Sequence, residues 1–422
     1  MVMSRNPHEI FTSEEDYWDW DKYIQQCDLI ELSKVDSERA KDSFRYLKEV
    51  FGKGFLKRAA RERHPIFTWY FVNSAPRARL SLIRLVDALR ALENAPNFVT
   101  VLRRIKKRIK RDEDLSDIGE GLSVVEVAHK FFQSGFDIEF EPDVVVPNHL
   151  GRAGPKLPDM KITNKKTGEE IIVEVSRMRA GDHQRLTSRT YEVIWNVLVS
   201  EGMHSDPEAL KDILHPRYIL PYALIHRGIE DPDLKGIVDK IRALINQVRA
   251  GGKFSEMIIP GTIEVGIASY DDHHLAREWA AARGIRETSF VEGPNILQDE
   301  LSRAKSKLRV KVKQLPENMP GIVVILASEN LIFFVYDVRG ITAALAEEAE
   351  KYSKLFRAVM FHTFDDGRDE NTSLDIGPHT FTRSVRSDGA VEQCLVIRNN
   401  SCSQTVSTET LEMVERPFTV RG

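Results

Sequence analysis

Residues 321–327 read GIVVILA, seven residues without a polar side chain, and this run limits the fold more than any other in the chain. It is far too short for a membrane helix, which needs roughly 18 consecutive apolar residues, and it has the length of a strand. A strand with no polar alternation must be covered on both faces, and that is ordinarily done by helices laid against a sheet. A second apolar run at 331–336 has similar length, and no stretch approaches a membrane span. The expected class is α/β, with a mixed sheet flanked by helices.

The rest of the chain divides around that expectation. Residues 1–115 read as helical. The segment 76–94, PRARLSLIRLVDALRALEN, carries Leu82, Leu85, Leu89 and Leu92 on one face, a proline at its start and Ser74 as a cap. The acidic stretch RDEDLSD (111–117) separates this region from the next. From residue 122 the pattern becomes a helix with Ser123 and Glu126 at capping-box spacing, stopped by Gly135. FDIEFEPDVVV then alternates with Phe136, Ile138 and Phe140 on one face. Two strands follow, at 159–163 and 170–176, joined by a polar turn, and then a helix at about 184–199. Further strands and helices continue to residue 398, including strands near 331–335, 358–362 and 394–398. The expected domains are a helical region 1–115, an α/β core 116–365 with an insertion at about 203–295, and a β-containing extension 366–422. At 422 residues, two or three domains are the ordinary expectation.

Composition excludes several classes. Three cysteines, Cys27, Cys394 and Cys402, are too few and too scattered for a disulfide framework or a cysteine-based zinc site, which favours a reducing, cytoplasmic setting. The N-terminus lacks the charged-then-apolar pattern of a secretion signal. GKGFLKR (52–58) does not complete a phosphate-binding loop, and neither G-x-S-x-G nor H-E-x-x-H occurs. His273 and His274 are adjacent and would point apart on a helix, so they make a poor metal pair.

Charge is uneven. The net charge is −4, yet RRIKKRIKR (103–111) carries seven basic residues in nine: Arg103, Arg104, Lys106, Lys107, Arg108, Lys110 and Arg111. Read as a helix, it has Val101, Ile105 and Ile109 on a buried stripe and cations on its flanks. Such a segment is either a solvated amphipathic helix or a contact for the phosphates of DNA or RNA, and the two readings are compatible.

The stretch KLPDMKITNKKTGEEIIVEVSRMR (156–179) carries the strongest chemical signal. Alternation places Asp159, Lys161 and Thr163 on one face of the first strand, and Glu174 and Ser176 on one face of the second. Paired through the short turn, the strands would bring Asp159 and Glu174 to one sheet edge. Converging carboxylates repel unless a cation or shared proton compensates, and oxygen-rich sites suit Mg²⁺ or Mn²⁺.

Glu126 on a helix, Pro158-Asp159 and a glutamate ending IIVEV together resemble the core of the PD-(D/E)xK, or restriction-endonuclease-like, superfamily. The resemblance covers about 122–199, with a return at GIVVILA. It implies a restriction-endonuclease-like mixed sheet, here with a helical N-terminal region and inserted α/β elements. It also implies divalent-metal-dependent hydrolysis of nucleic-acid phosphodiesters. Asp159 and Glu174 would bind Mg²⁺ or Mn²⁺, and Glu126 matches an acid that some members add.

The family's lysine has no counterpart, because Ser176 stands in its position. Lys161, sharing a face with Asp159, is the first candidate to replace it; Arg177 points to the opposite face. Lys307, Lys311 and Gln314 on a later helix are alternatives that the sequence does not place. The contrasting expectation is a degenerate relative that binds nucleic acid or a protein partner without cutting. A third is a structural protein whose core mimics the motif.

Overall fold

The computed structural model describes residues 10–147, 153–178, 182–201, 219–286, 290–293, 297–327, 338–364, 371–386 and 390–419. Two compact units divide the chain: Met1–Arg179 with Leu301–Gly422, and Ala180–Glu300. The first opens with helices α1 (Trp20–Gln26), α2 (Lys34–Phe51), α3 (Phe55–Arg61), α4 (Pro76–Leu92), α5 (Phe98–Ile105) and α6 (Asp112–Gln133). In α2 the Ser33 hydroxyl accepts the Asp36 N–H, and Ala40, Phe44, Leu47 and Phe51 form the buried face. In α4 the residue before the first turn is Ala75 rather than Ser74, and Pro76 occupies the position where its missing N–H costs nothing.

Helix α6 begins ten residues before the expected start. The Asp114 carboxylate accepts the N–H groups of Lys110 (2.9 Å) and Arg111 (3.0 Å), so the acidic stretch is the helix's first turn. Carboxylates there satisfy orphan donors and complement the helix dipole. Ser123, expected as a cap, lies inside the helix and donates to the Gly119 carbonyl at 3.0 Å. Gly135, with φ of +97°, follows the helix end as expected.

Strands β1 (Phe136–Phe140), β2 (Val144–Pro147), β3 (Ala153–Lys156), β4 (Met160–Asn164) and β5 (Glu170–Met178) follow. β2 and β3 form a separate ribbon. β1 buries Phe136, Ile138 and Phe140, as its alternation predicts.

The unit Ala180–Glu300 contains α7 (Asp182–Trp195), β6 (Ile219–Ile225), α8 (Asp231–Arg249), β7 (Phe254–Ile259), β8 (Ile263–Ser269), α9 (His273–Ala281) and β9 (Val291–Glu292). Its four strands run in the order β7-β8-β6-β9. The boundary differs from the expected 203–295. Ile194, from α7, and Val197 and Leu198 just beyond it share a core with β6, α8 and β8, so that helix goes with this unit.

The chain then returns to the first unit through α10 (Leu297–Val312), β10 (Gly321–Ala327), α11 (Val338–Ala349), β11 (Leu355–Phe364), β12 (Thr372–Ile376), β13 (His379–Val385), β14 (Val391–Arg398) and α12 (Thr408–Glu415). Eight strands make one mixed sheet, β1-β4-β5-β10-β11-β14-β13-β12, in which β5, β10 and β11 are parallel neighbours. Every residue of β10 is buried, as a strand covered on both faces requires. The expected separate extension 366–422 instead supplies three strands of this sheet. The helical region 1–115 is not a separate body either. Trp20, Phe44, Leu89 and Phe131 share one core with Phe136, Val173, Val324 and Val396. The strand expected at 331–335 lies outside the described residues.

Candidate functional site

The β4–β5 hairpin turns on Asn164, whose side-chain oxygen accepts the Lys166 N–H at 2.9 Å, and on Gly168, held at φ of +75°. Its register pairs Met160 with Val173 and Lys161 with Ile172. Asp159, one residue before β4, therefore falls opposite Glu174. A third element completes the group: Lys311 Nζ, from α10, lies 2.9 Å from Asp159 Oδ2 and 2.9 Å from Glu174 Oε2. All three side chains are largely buried.

Asp159 is fixed from every side. Its Oδ2 also accepts the Val175 N–H at 2.9 Å, and its carbonyl accepts the Glu141 N–H at 3.2 Å. Glu141 holds φ of +45°, a left-handed value that costs a non-glycine residue roughly 1–3 kcal/mol. Arg104 Nη1 stands 3.4 Å from Asp159 Oδ1, and the same guanidinium lies 3.7 Å from Glu120 and 3.9 Å from Glu141. Gly121 permits this approach. A Cβ there would sit 3.2 Å from Ile105 and 3.4 Å from the Arg104 Cβ, so α5 lies close against α6.

The two carboxylates titrate in opposite directions. Burial raises Glu174, and the neighbouring Asp159 charge raises it further, to about 8. Burial also opposes ionisation of Asp159, but Lys311, the Val175 N–H and Arg104 together bring it below the ordinary carboxylate value. Lys311 is raised despite its burial, because both acids hold the ammonium charged.

The expected replacement for the missing lysine needs correction. Lys161 does lie along the same strand face, but its ammonium is engaged 2.9 Å from Glu139 on β1 and 2.9 Å from Glu170 on β5. Lys311 has the position beside the acids. Its sequence signal is faint: α10 buries Ala304, Leu308 and Val312 at helical spacing, and Lys311 is one of four lysines, with Lys305, Lys307 and Lys313, that flank that stripe.

Glu126 is not part of the cluster; its carboxylate stands 3.6 Å from Arg386. The acids that Arg104 links to Asp159 are Glu120 and Glu141, which the sequence reading did not single out. Ser176 is buried beside Glu174, opposite Ile325 of β10.

The basic run also departs from the expected helix. α5 ends at Ile105, and the chain leaves helical geometry from Lys106 to Lys110. A continued helix would stack like charges four residues apart, at 103/107, 104/108 and 107/111. Once the helix has ended, Lys106 donates to the Val50 carbonyl (2.7 Å) and Lys107 pairs with Asp117 (2.6 Å) and Asp114 (2.8 Å). Arg103, Arg108, Lys110 and Arg111 are exposed, and Arg104 turns to the acid cluster.

Among the described residues, no three His, Cys, Asp or Glu side chains group so as to hold a metal ion. The donor set at Asp159 and Glu174 still fits a hard cation, because Mg²⁺ is commonly held by one or two carboxylates with water completing the shell. Such an ion would compete with the Lys311 ammonium for Asp159 Oδ2 and Glu174 Oε2. Also among the described residues, no helix is long and apolar enough to cross a membrane, and all three cysteines are free thiols. No protein-family model, curated protein or solved structure matches the chain.

Proposed function

We propose that Asp159, Glu174 and Lys311 form a centre for divalent-metal-dependent hydrolysis of nucleic-acid phosphodiesters, of the PD-(D/E)xK type. The observation that carries this reading is the lysine 2.9 Å from both carboxylates, supplied by α10 in place of the strand position held by Ser176. Asp159 and Glu174 would hold Mg²⁺ or Mn²⁺. When bound, that ion supplies Lewis-acid polarisation of the phosphate and a water of lowered pKa. Lys311, its ammonium stabilised by both acids, is a poor base and a good charge stabiliser. It orients water and offsets charge developing on the phosphoryl oxygens. The Val175 N–H and Arg104 keep the Asp159 carboxylate ionised and fixed in orientation. The exposed cations Arg103, Arg108, Lys110 and Arg111 would contact nucleic-acid phosphates.

A second reading has its own observation. Lys311 bridges both carboxylates at 2.9 Å, as a group retained for structure would. In that case the protein is a relative that binds nucleic acid or a protein partner without cutting it.

Cleavage assays on DNA and RNA with Mg²⁺ or Mn²⁺ decide between the two. Lys311→Ala and Asp159→Asn should each cost on the order of 10²–10⁴-fold in rate. Lys161→Ala should stay within a few-fold of wild type, since it removes an ion pair away from the acids. A wild type inert on every substrate leaves the non-cutting relative. Equal losses at Lys161 and Lys311 would sink the assignment of Lys311.

A further inference from the structure

On the opposite face of β5 from Glu174, the first unit contains a cleft of about 870 Å³, within the range of small-ligand sites. It opens where the parallel strands deliver their C-terminal ends: Arg177 of β5, Leu326 and Ala327 of β10, and Thr363 of β11 line it. Open α/β sheets commonly place ligands at that end of their strands.

Three arginines from three separate segments line it: Arg84 of α4, Arg177, and Arg386 just after β13. Tyr70 and Glu126 line the cleft beside them. Arg386 contacts Glu126 at 3.6 Å and Thr363 at 3.3 Å. The cleft lining carries six Arg and Lys side chains against three carboxylates, a positive excess.

The neighbouring aromatic residue is equally unusual. Trp69 is 40% exposed, and the Arg177 guanidinium lies 4.7 Å from its ring centroid. Gly119 makes room for that arrangement, because a Cβ there would stand 2.7 Å from Arg177 Nη1. Nothing in the proposed hydrolytic centre uses this constellation.

We propose that this cleft binds a nucleotide, with its phosphates against Arg84, Arg177 and Arg386 and its base stacked on Trp69. Guanidinium forks match phosphate oxygens in charge and geometry, and an indole backed by a cation is a stacking surface for a flat heterocycle. Size supports the assignment, since the cleft has volume for both parts of such a ligand.

Isothermal titration calorimetry with full-length protein in EDTA tests this without engaging the metal-dependent site. ATP should bind, and adenosine and tripolyphosphate should each bind about tenfold or more weakly. Affinity for ATP should fall steadily with added salt. Arg84→Gln should weaken ATP about tenfold or more. Gly119→Ala, which removes no charge and favours the helix, should weaken it too by displacing Arg177 from Trp69. Glu174→Gln should bind ATP as wild type does, whatever the outcome of the cleavage assays.

Absence of ATP binding at millimolar concentration overturns the proposal. So does ATP affinity unchanged in both Arg84→Gln and Gly119→Ala. Tripolyphosphate binding as tight as ATP overturns the nucleotide assignment. The salt series on wild type stands independently of how well any variant folds.

Discussion

Glu174 lies 1% exposed and shares one ammonium with a second carboxylate, so its proton is part of the energetics of the fold. Its folded pKa of about 8 lies above its unfolded value. The sign follows: the stability tied to this group is complete below the unfolded pKa and is lost as pH rises through about 8. Asp159 runs the other way, its contribution present above the unfolded value and lost in acid. Melting temperatures of wild type should therefore fall between about pH 5 and 9 more steeply than those of Glu174→Gln. Parallel curves for the two proteins would contradict the raised pKa. The same scale explains which residues could be read from sequence. Strand alternation brought Asp159 and Glu174 to one face, because period two is a property of the backbone. It put Lys161 on that face as well, and could not say where a long flexible ammonium would go. Glu139, across an unread strand pairing, and Glu170 decide that.

At the scale of elements, α10 carries the lysine that meets both acids, Asp159 and Glu174. Ala304, Leu308 and Val312 are buried at four-residue spacing, and Lys311 lies three residues beyond Leu308. Leu308→Ala should cost about 2–5 kcal/mol in denaturant unfolding, and Leu308→Met under about 1.5 kcal/mol. If the protein cleaves nucleic acid as proposed and α10 positions Lys311, cleavage by the alanine variant should fall further than its loss of folded protein accounts for. A loss matching the folded fraction would mean that the lysine finds the acids without help from the helix. Elements with a strong apolar period were legible: α4, β1 and β10 match their patterns closely. The misses have physical causes. β12 is exposed along nearly its whole length, so it has no apolar alternation to read. The first three turns of α6 were hidden because an acid-rich helix start and a polar linker look alike until its capping partners are placed.

Across the whole molecule, the sheet combines strands that precede and follow residues 180–300 in the sequence, while Ala180–Glu300 forms a unit with its own core of Ile194, Ile237, Ile241, Val265 and Ile267 among others. That core predicts that residues 180–300 expressed alone will show a cooperative thermal transition by circular dichroism; a gradual, featureless melt would refute it. The insertion also separates in sequence what the first unit joins in space. Glu174 and Lys311 are 137 positions apart. A ribosome adding about 5–20 residues per second needs roughly 7–27 s to pass from one to the other. Throughout that interval the growing polypeptide contains both acids and lacks their lysine. The proposed hydrolytic centre would thus stay incomplete on the growing chain until synthesis has passed Lys311.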